Sequence, residues 1–200
     1  MLLNNIEKHY SLRFIMNEVN NWYELGPFTV FDVETTGMSA RNDRIVEIAA
    51  IHIEKNGRMS RYQSLVNPGC PIPMQASRVH RITDLMVAEA PKFRQVGFEF
   101  LDFVRDSTLV AHNARFDLSF LQESLVRCGL PQWRGKTMDS LRLFKQAYSG
   151  LPSYSLQNLR RAFQLEDTRP GLEAHRAAAD VEWTTQLLEI AFTELLKKLQ

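Results

Sequence analysis

Three consecutive segments of strand character, FTVFDVET, RIVEIAAIHIE and RMSRYQSLVNP, restrict this chain to few topologies before any strand alternates with a helix. They are dense in β-branched and aromatic residues and are separated by Gly or Asn/Asp turn signals, which predicts three successive strands with an antiparallel start. A Pro-bounded loop and a short helix around Ser77 to Leu85 follow. A stronger helix is predicted from Pro91 to Arg105, with Phe93, Val96, Phe100, Phe103 and Val104 on one side. TLVAHN then reads as a buried strand, Phe116 to Cys128 as a helix closed by Gly129-Leu130-Pro131, and KTMDSL as a last short strand. Helical stretches near Leu141 to Tyr148 and Leu156 to Phe163 precede a final helix from about His175, whose stripe is Leu187, Leu188, Ile190, Ala191, Leu195 and Leu196. The order βββ then αβαβα predicts an α/β architecture, a mixed sheet flanked by helices.

Ahead of this unit, apolar residues from Ile6 to Trp22 recur at helical spacing and Gly26-Pro27 breaks the pattern. A helical extension over residues 1–25 and a main domain over 26–200 are therefore expected. Two hundred residues, 44% of them hydrophobic, are enough to bury one sizeable core. A formal net charge of +1 gives no global field for a polyanion, so attraction to nucleic acid has to come from local clusters or bound cations. Cys70 and Cys128 have neither zinc-site nor disulfide-framework spacing. Residues Met1 to Leu25 include Glu7, Lys8, Arg13, Glu18 and Glu24, which interrupt any signal peptide or membrane span. A cytoplasmic chain with no membrane partner is expected.

The chemistry-bearing residues are individually ambiguous. Asp32 and Glu34 in FDVETTG lie two apart on a predicted strand, so both carboxylates face one side. They fit a hard-cation site and an ordinary strand with exposed acids equally well. Asp117 opens a helix in AHNARFDLSFL and Asp180 lies early in the last helix, places where acids also serve helix termini. His175, taken alone, fits a capping or surface histidine.

Their joint order is more informative, and their neighbours match too. FDVETTG, VAHNARFDLSFL and HRAAADVEWT resemble the three motifs of the DEDDh, or DnaQ-like, 3′–5′ exonucleases, the group that contains the epsilon proofreading subunit of the bacterial replicative polymerase. RVHRITDLMV, TMDSLRLFK and YSLQNLRRAF extend the resemblance from about Phe28 to about Leu188. It implies an RNase H-like fold with a five-stranded mixed sheet. It also implies two divalent ions, Mg²⁺ or Mn²⁺, held by Asp32, Glu34, Asp117 and Asp180, with His175 as general base. Position 176 is Arg, not the tyrosine of the sister DEDDy group.

By the same resemblance the backbone of Thr35, Thr36 and Gly37 and the Thr36 hydroxyl hold the terminal 3′ hydroxyl or its phosphate, and Met38 packs on the last base. Thr36-Gly37 also reads as a turn closing the strand. His80 is similar to a position lining the substrate pocket and fits a helix cap equally. His112 and Asn113 are expected to make structural hydrogen bonds, and His52 to face solvent from its strand. The basic residues Arg142, Lys145, Arg160, Arg161, Arg169 and Arg176 outnumber Glu166, Asp167 and Glu173, giving either a grip on a nucleic-acid backbone or a solvated helix face.

The implied activity is metal-dependent removal of nucleoside monophosphates from 3′ ends, with single-stranded DNA favoured over RNA. RNA 3′-end trimming and a non-catalytic scaffold bound to a DNA polymerase stand as alternatives. The physical demand for cations is clear in either enzymatic case. At about 4 Å and an effective dielectric of about 20, each carboxylate pair repels by about 4 kcal/mol.

Overall fold

The computed structural model describes residues 19–167 and 176–198. Strand β1, Phe28–Thr35, is covered on both faces, and the period of two sorts its side chains between them. Phe31 and Val33 join Ile48 and Ala50 of β2, Ile45–Ile53, in one core layer, while Phe28 and Val30 join Ala49, Ile51 and Ile53 in the other. Strand β3, Met59–Leu65, lies at the sheet edge and alternates exposed with half-buried residues. With β4, Thr108–Ala111, and β5, Thr137–Asp139, the sheet runs β3-β2-β1-β4-β5. The first three strands pair antiparallel and the last two join in parallel, giving the expected five-stranded mixed sheet.

Helices α1, Met74–His80, and α2, Asp84–Val87, fill the connection after β3. Helices α3, Phe93–Val104, and α4, Arg115–Arg127, cover the Phe31 face through Val96, Phe100, Phe120 and Leu121. Helices α5, Ser140–Ala147, and α6, Leu156–Ala162, pack with the outer side of α7, Ala177–Lys197, through Phe144, Leu159, Trp183 and Leu187. The inner side of α7 covers the Phe28 face through Ala177, Val181, Leu188 and Phe192.

Two expectations change. The single helix expected around Ser77 to Leu85 is two, because Arg81 adopts a left-handed backbone (φ 61°) and Asp84 accepts from the Ile72 amide at 2.9 Å. That break turns Ile82 and Val87 onto Val46. His52 does not face solvent: it is 7% exposed and shares a 2.9 Å hydrogen bond with the Thr29 hydroxyl. Its strand is paired on both edges, by β1 and β3, and every residue along it is buried. Residues 1–18 of the expected N-terminal helix lie outside the described residues, and Trp22 opens a 3-10 turn, Trp22–Leu25. The Trp22 ring is buried, stacked on Phe28 and Phe192 at centroid distances of 6.1 and 6.3 Å. Among the described residues no helix is long and apolar enough to cross a membrane.

Candidate active site

Asp32 and Glu34 continue the Phe28–Val30 side of β1 beyond the apolar layer, so the alternation that packs those residues under α7 also delivers two carboxylates to its first turn. Asp180 meets them there. One oxygen from each of Asp32, Glu34 and Asp180 lies within 4.8 Å of the others. The Gln157 side-chain amide donates to Asp180 Oδ1 at 3.5 Å.

Asp117 reaches the same strand end from α4 and is 3% exposed. The parallel ladder between β1 and β4 ends at Val30 and Val110, and Asp117 Oδ1 accepts from the Val33 amide at 3.2 Å. An unpaired backbone donor is costly in a buried place, so the bond holds the carboxylate at the strand end.

Asp32, Glu34 and Asp117 resist ionisation. Burial, followed by repulsion from Asp117, Asp180, Glu34 and Glu47, raises the Asp32 carboxyl well above its ordinary value. Burial, then Asp180, Glu47 and Asp117, pushes Glu34 up to about 9, partly opposed by Arg176. Burial lifts Asp117 to about 7, opposed by its bond from the Val33 amide. A cluster that gathers oxygen ligands whose negative charge is opposed by burial fits a hard divalent cation, and among the described residues it offers no thiolate or imidazole that would favour a softer metal.

Around the cluster, the expected substrate contacts are differently committed. Thr35 and Thr36 are buried, and their hydroxyls donate to the Gly37 carbonyl at 2.6 Å and to Asp43 Oδ1 at 3.4 Å. The Thr36 amide donates to the Arg44 carbonyl at 2.8 Å. Met38 projects from the loop tip at 83% exposure. His80 is buried, and its Nδ1 accepts from the Ile82 amide at 3.0 Å. His112 spans Ser140 Oγ at 3.0 Å and the Tyr154 carbonyl at 2.8 Å, while the Asn113 amide donates to Asp139 at 3.2 Å, the structural bonds expected of this segment. His175 lies outside the described residues.

Gly37 is held by close approach. A Cβ there would lie 2.5 to 2.7 Å from the Asp43 carboxylate, which also accepts from the Ser39 amide at 2.8 Å. Gly37→Ala is expected to displace Asp43 and cost about 1 to 3 kcal/mol. Denaturant unfolding of the variant measures it, and an unchanged midpoint would refute the packing argument.

Two residues of the basic stretch are engaged by other side chains. Arg176 turns inward to Glu47, and Arg160 lies 3.9 Å over the Trp183 ring while donating to both oxygens of Asp167 at 3.1 Å. Arg169 lies outside the described residues. Two residues escaped sequence reasoning, Glu47 and Gln157. Glu47 had a signal: it is the one acid inside the apolar run IVEIAAIHI, where a buried charge calls for partners.

The exonuclease family model RNase_T matches residues 29–188. DNA polymerase III subunit epsilon of Treponema pallidum is 36% identical over 162 residues, which is 80% of this chain and 74% of that protein. The PolC-type DNA polymerase III of Caldanaerobacter subterraneus subsp. tengcongensis is 36% identical over 175 residues, 88% of this chain but only 12% of that relative's length. In three dimensions, exonuclease X, solved in complex with 5′ overhanging duplex DNA, superposes with a TM-score of 0.64 at 31% identity, covering 84% of this chain and 92% of that one.

Proposed function

The chain belongs to the RNase_T exonuclease family, and from that premise we propose that it removes nucleoside monophosphates from the 3′ ends of single-stranded DNA by metal-dependent hydrolysis. The observation that carries the reading is the convergence of Asp32, Glu34 and Asp180 oxygens within 4.8 Å, with Asp117 at the same strand end. DNA as substrate is supported by the likeness to exonuclease X and to the polymerase III epsilon subunit.

Asp32, Glu34, Asp117 and Asp180 would hold two divalent ions, Mg²⁺ or Mn²⁺. Bound there, such ions neutralise the acids, lower the pKa of a coordinated water and stabilise charge on the leaving oxygen. His175, adjacent in sequence to Arg176 at the start of α7, takes the proton from the attacking water, a task suited to imidazole, whose unperturbed pKa is about 6.5. The bond between phosphorus and the 3′ oxygen of the preceding nucleotide breaks, releasing a nucleoside 5′-monophosphate and leaving a new 3′ hydroxyl. Met38, exposed after the strand that carries Asp32 and Glu34, would lie against the terminal base.

Digestion of end-labelled DNA and RNA of one sequence, with free or blocked 3′ ends and with Mg²⁺, Mn²⁺ or EDTA, tests this. Shortening of free-ended DNA only, dependent on the metal, is the expected outcome. Faster loss of RNA would reassign the substrate, and no hydrolysis by folded, metal-loaded protein would refute the reading.

The raised carboxyls also predict a pH signature. Asp117 and Glu34 move from 3.8 and 4.5 to about 7 and about 9 on folding, so they stabilise the metal-free chain fully below their unfolded values. That contribution is lost as pH rises through about 7 and then about 9. In EDTA the melting temperature should therefore fall from acid towards alkaline pH. Mn²⁺ binding should release protons, measured by calorimetry in buffers of different ionisation enthalpy, and tighten as pH rises. Proton-neutral binding would contradict the assignment.

A further inference from the structure

We infer that Glu47 and Arg176 form a clamp that holds the first turn of α7, and with it Asp180, against the carboxylates of β1 in the geometry that a divalent cation requires. The inference rests on the hydrolytic reading above and names residues that act through others.

Glu47 is fully buried and its two oxygens accept four hydrogen bonds. Oε1 accepts from Arg176 Nη2 at 2.7 Å and from Gln63 Nε2 at 3.0 Å. Oε2 accepts from Arg176 Nε at 3.0 Å and from the Ala177 amide at 3.1 Å. An ionised carboxylate offers about four acceptor positions, so this one is filled and is not a further cation ligand. Its place is informative too. Glu47 lies on β2 directly opposite Glu34 in the antiparallel register, beside the cluster but outside it.

The carboxylate binds the start of α7 in two ways. It accepts one of the amides that have no partner within the helix, and it receives the fork of the N-cap residue Arg176. The Asp180 amide bonds to the Arg176 carbonyl at 3.2 Å, so Asp180 stands one helical turn from the clamp. Ionisation of Asp32, Glu34 and Asp180, which a bound cation demands, sets like charges across the gap between α7 and β1, and a bidentate ion pair at the head of the helix holds the two elements together against that repulsion. A second ion pair, from the partly exposed Arg61 to the buried Glu182 at 2.7 Å, ties α7 to β3. Glu182 lies two residues from Asp180, about 200° around the helix, so that pair holds the helix down without aiming Asp180.

The test compares Glu47→Gln, Arg176→Lys and Arg61→Ala in the full chain. Each is examined for melting temperature, for Mn²⁺ dissociation constant by electron paramagnetic resonance, and for kcat and KM on single-stranded DNA well below every melting temperature. Glu47→Gln is expected to weaken Mn²⁺ binding by about 10- to 100-fold and to lower kcat more than it raises KM. Arg176→Lys should lose Mn²⁺ affinity by a smaller factor, since it keeps the charge but not the fork. Arg61→Ala should lower the melting temperature while leaving Mn²⁺ affinity and kcat within about twofold.

Wild-type Mn²⁺ affinity in Glu47→Gln would overturn the clamp. So would an Arg61→Ala protein as impaired in Mn²⁺ binding as Glu47→Gln, because the effect would then follow stability alone. If Glu47→Gln does not fold, Arg176→Lys decides: reduced Mn²⁺ affinity supports the clamp and wild-type affinity refutes it. Absence of hydrolysis by wild type would refute the catalytic reading, and the Mn²⁺ measurements would still judge the clamp.

Discussion

Asp32→Asn is expected to lower hydrolysis by at least about 10³-fold, because losing one cation-binding carboxylate removes about 4 kcal/mol or more of transition-state stabilisation. Asn is close in shape and keeps the site packed, but it supplies neither charge nor a second acceptor oxygen. The same substitution should make the metal-free protein more resistant to alkaline pH. Burial and four neighbouring acids oppose ionisation of Asp32, and a neutral side chain relieves that opposition. The paired result, lost turnover with a melting temperature in EDTA that falls less steeply with pH, separates a site acid from an ordinary structural residue. Near wild-type turnover in the folded variant would end the assignment of this carboxylate to the active site.

The second large effect is on stability. Trp183 is fully buried on the outer side of α7, with Phe144, Leu159 and Leu187 in its cluster. Its indole donates to Asp167 Oδ1 at 3.1 Å, and the Arg160 guanidinium lies 3.9 Å above the ring. Trp183→Ala would leave a large cavity where α5, α6 and α7 meet, and is expected to cost about 3 to 5 kcal/mol. For a chain of this size that corresponds to a fall in melting temperature of about 6 to 20 °C. Trp183→Phe should recover most of the buried apolar area while losing the indole bond. A loss under about 1 kcal/mol for the alanine variant would mean that this cluster does not anchor α7 as described.

Much of this was legible locally. The alternation of FTVFDVET carries β1, its two covered faces and the shared side of Asp32 and Glu34, since side-chain direction along a strand depends only on neighbouring residues. The order of strand and helix patterns carries the mixed sheet, because few connections satisfy it. Boundaries were harder. The break at Arg81 depends on a left-handed residue and on Asp84 reaching the Ile72 amide, which no apolar period records.

Burial of His52 and the fates of Arg160 and Arg176 were not legible. Each looked like a solvent-facing or phosphate-binding residue from composition, and each is committed to a partner elsewhere in the fold. Arg176 and Glu47 are 129 residues apart in sequence, and only the register of β2 beside β1 and the seating of α7 bring them within 2.7 Å.

The amino-acid sequence by itself therefore determined the elements, their order and the identity of the acids, because periodicity and motif spacing are properties of short stretches of chain. Tertiary structure alone decided which charges pair with one another and which acids gather at one strand end. Asp32, Glu34 and Asp180 are left gathered at one strand end while Glu47 is filled by Arg176, Gln63 and the Ala177 amide, and that division follows from packing α7 across the sheet.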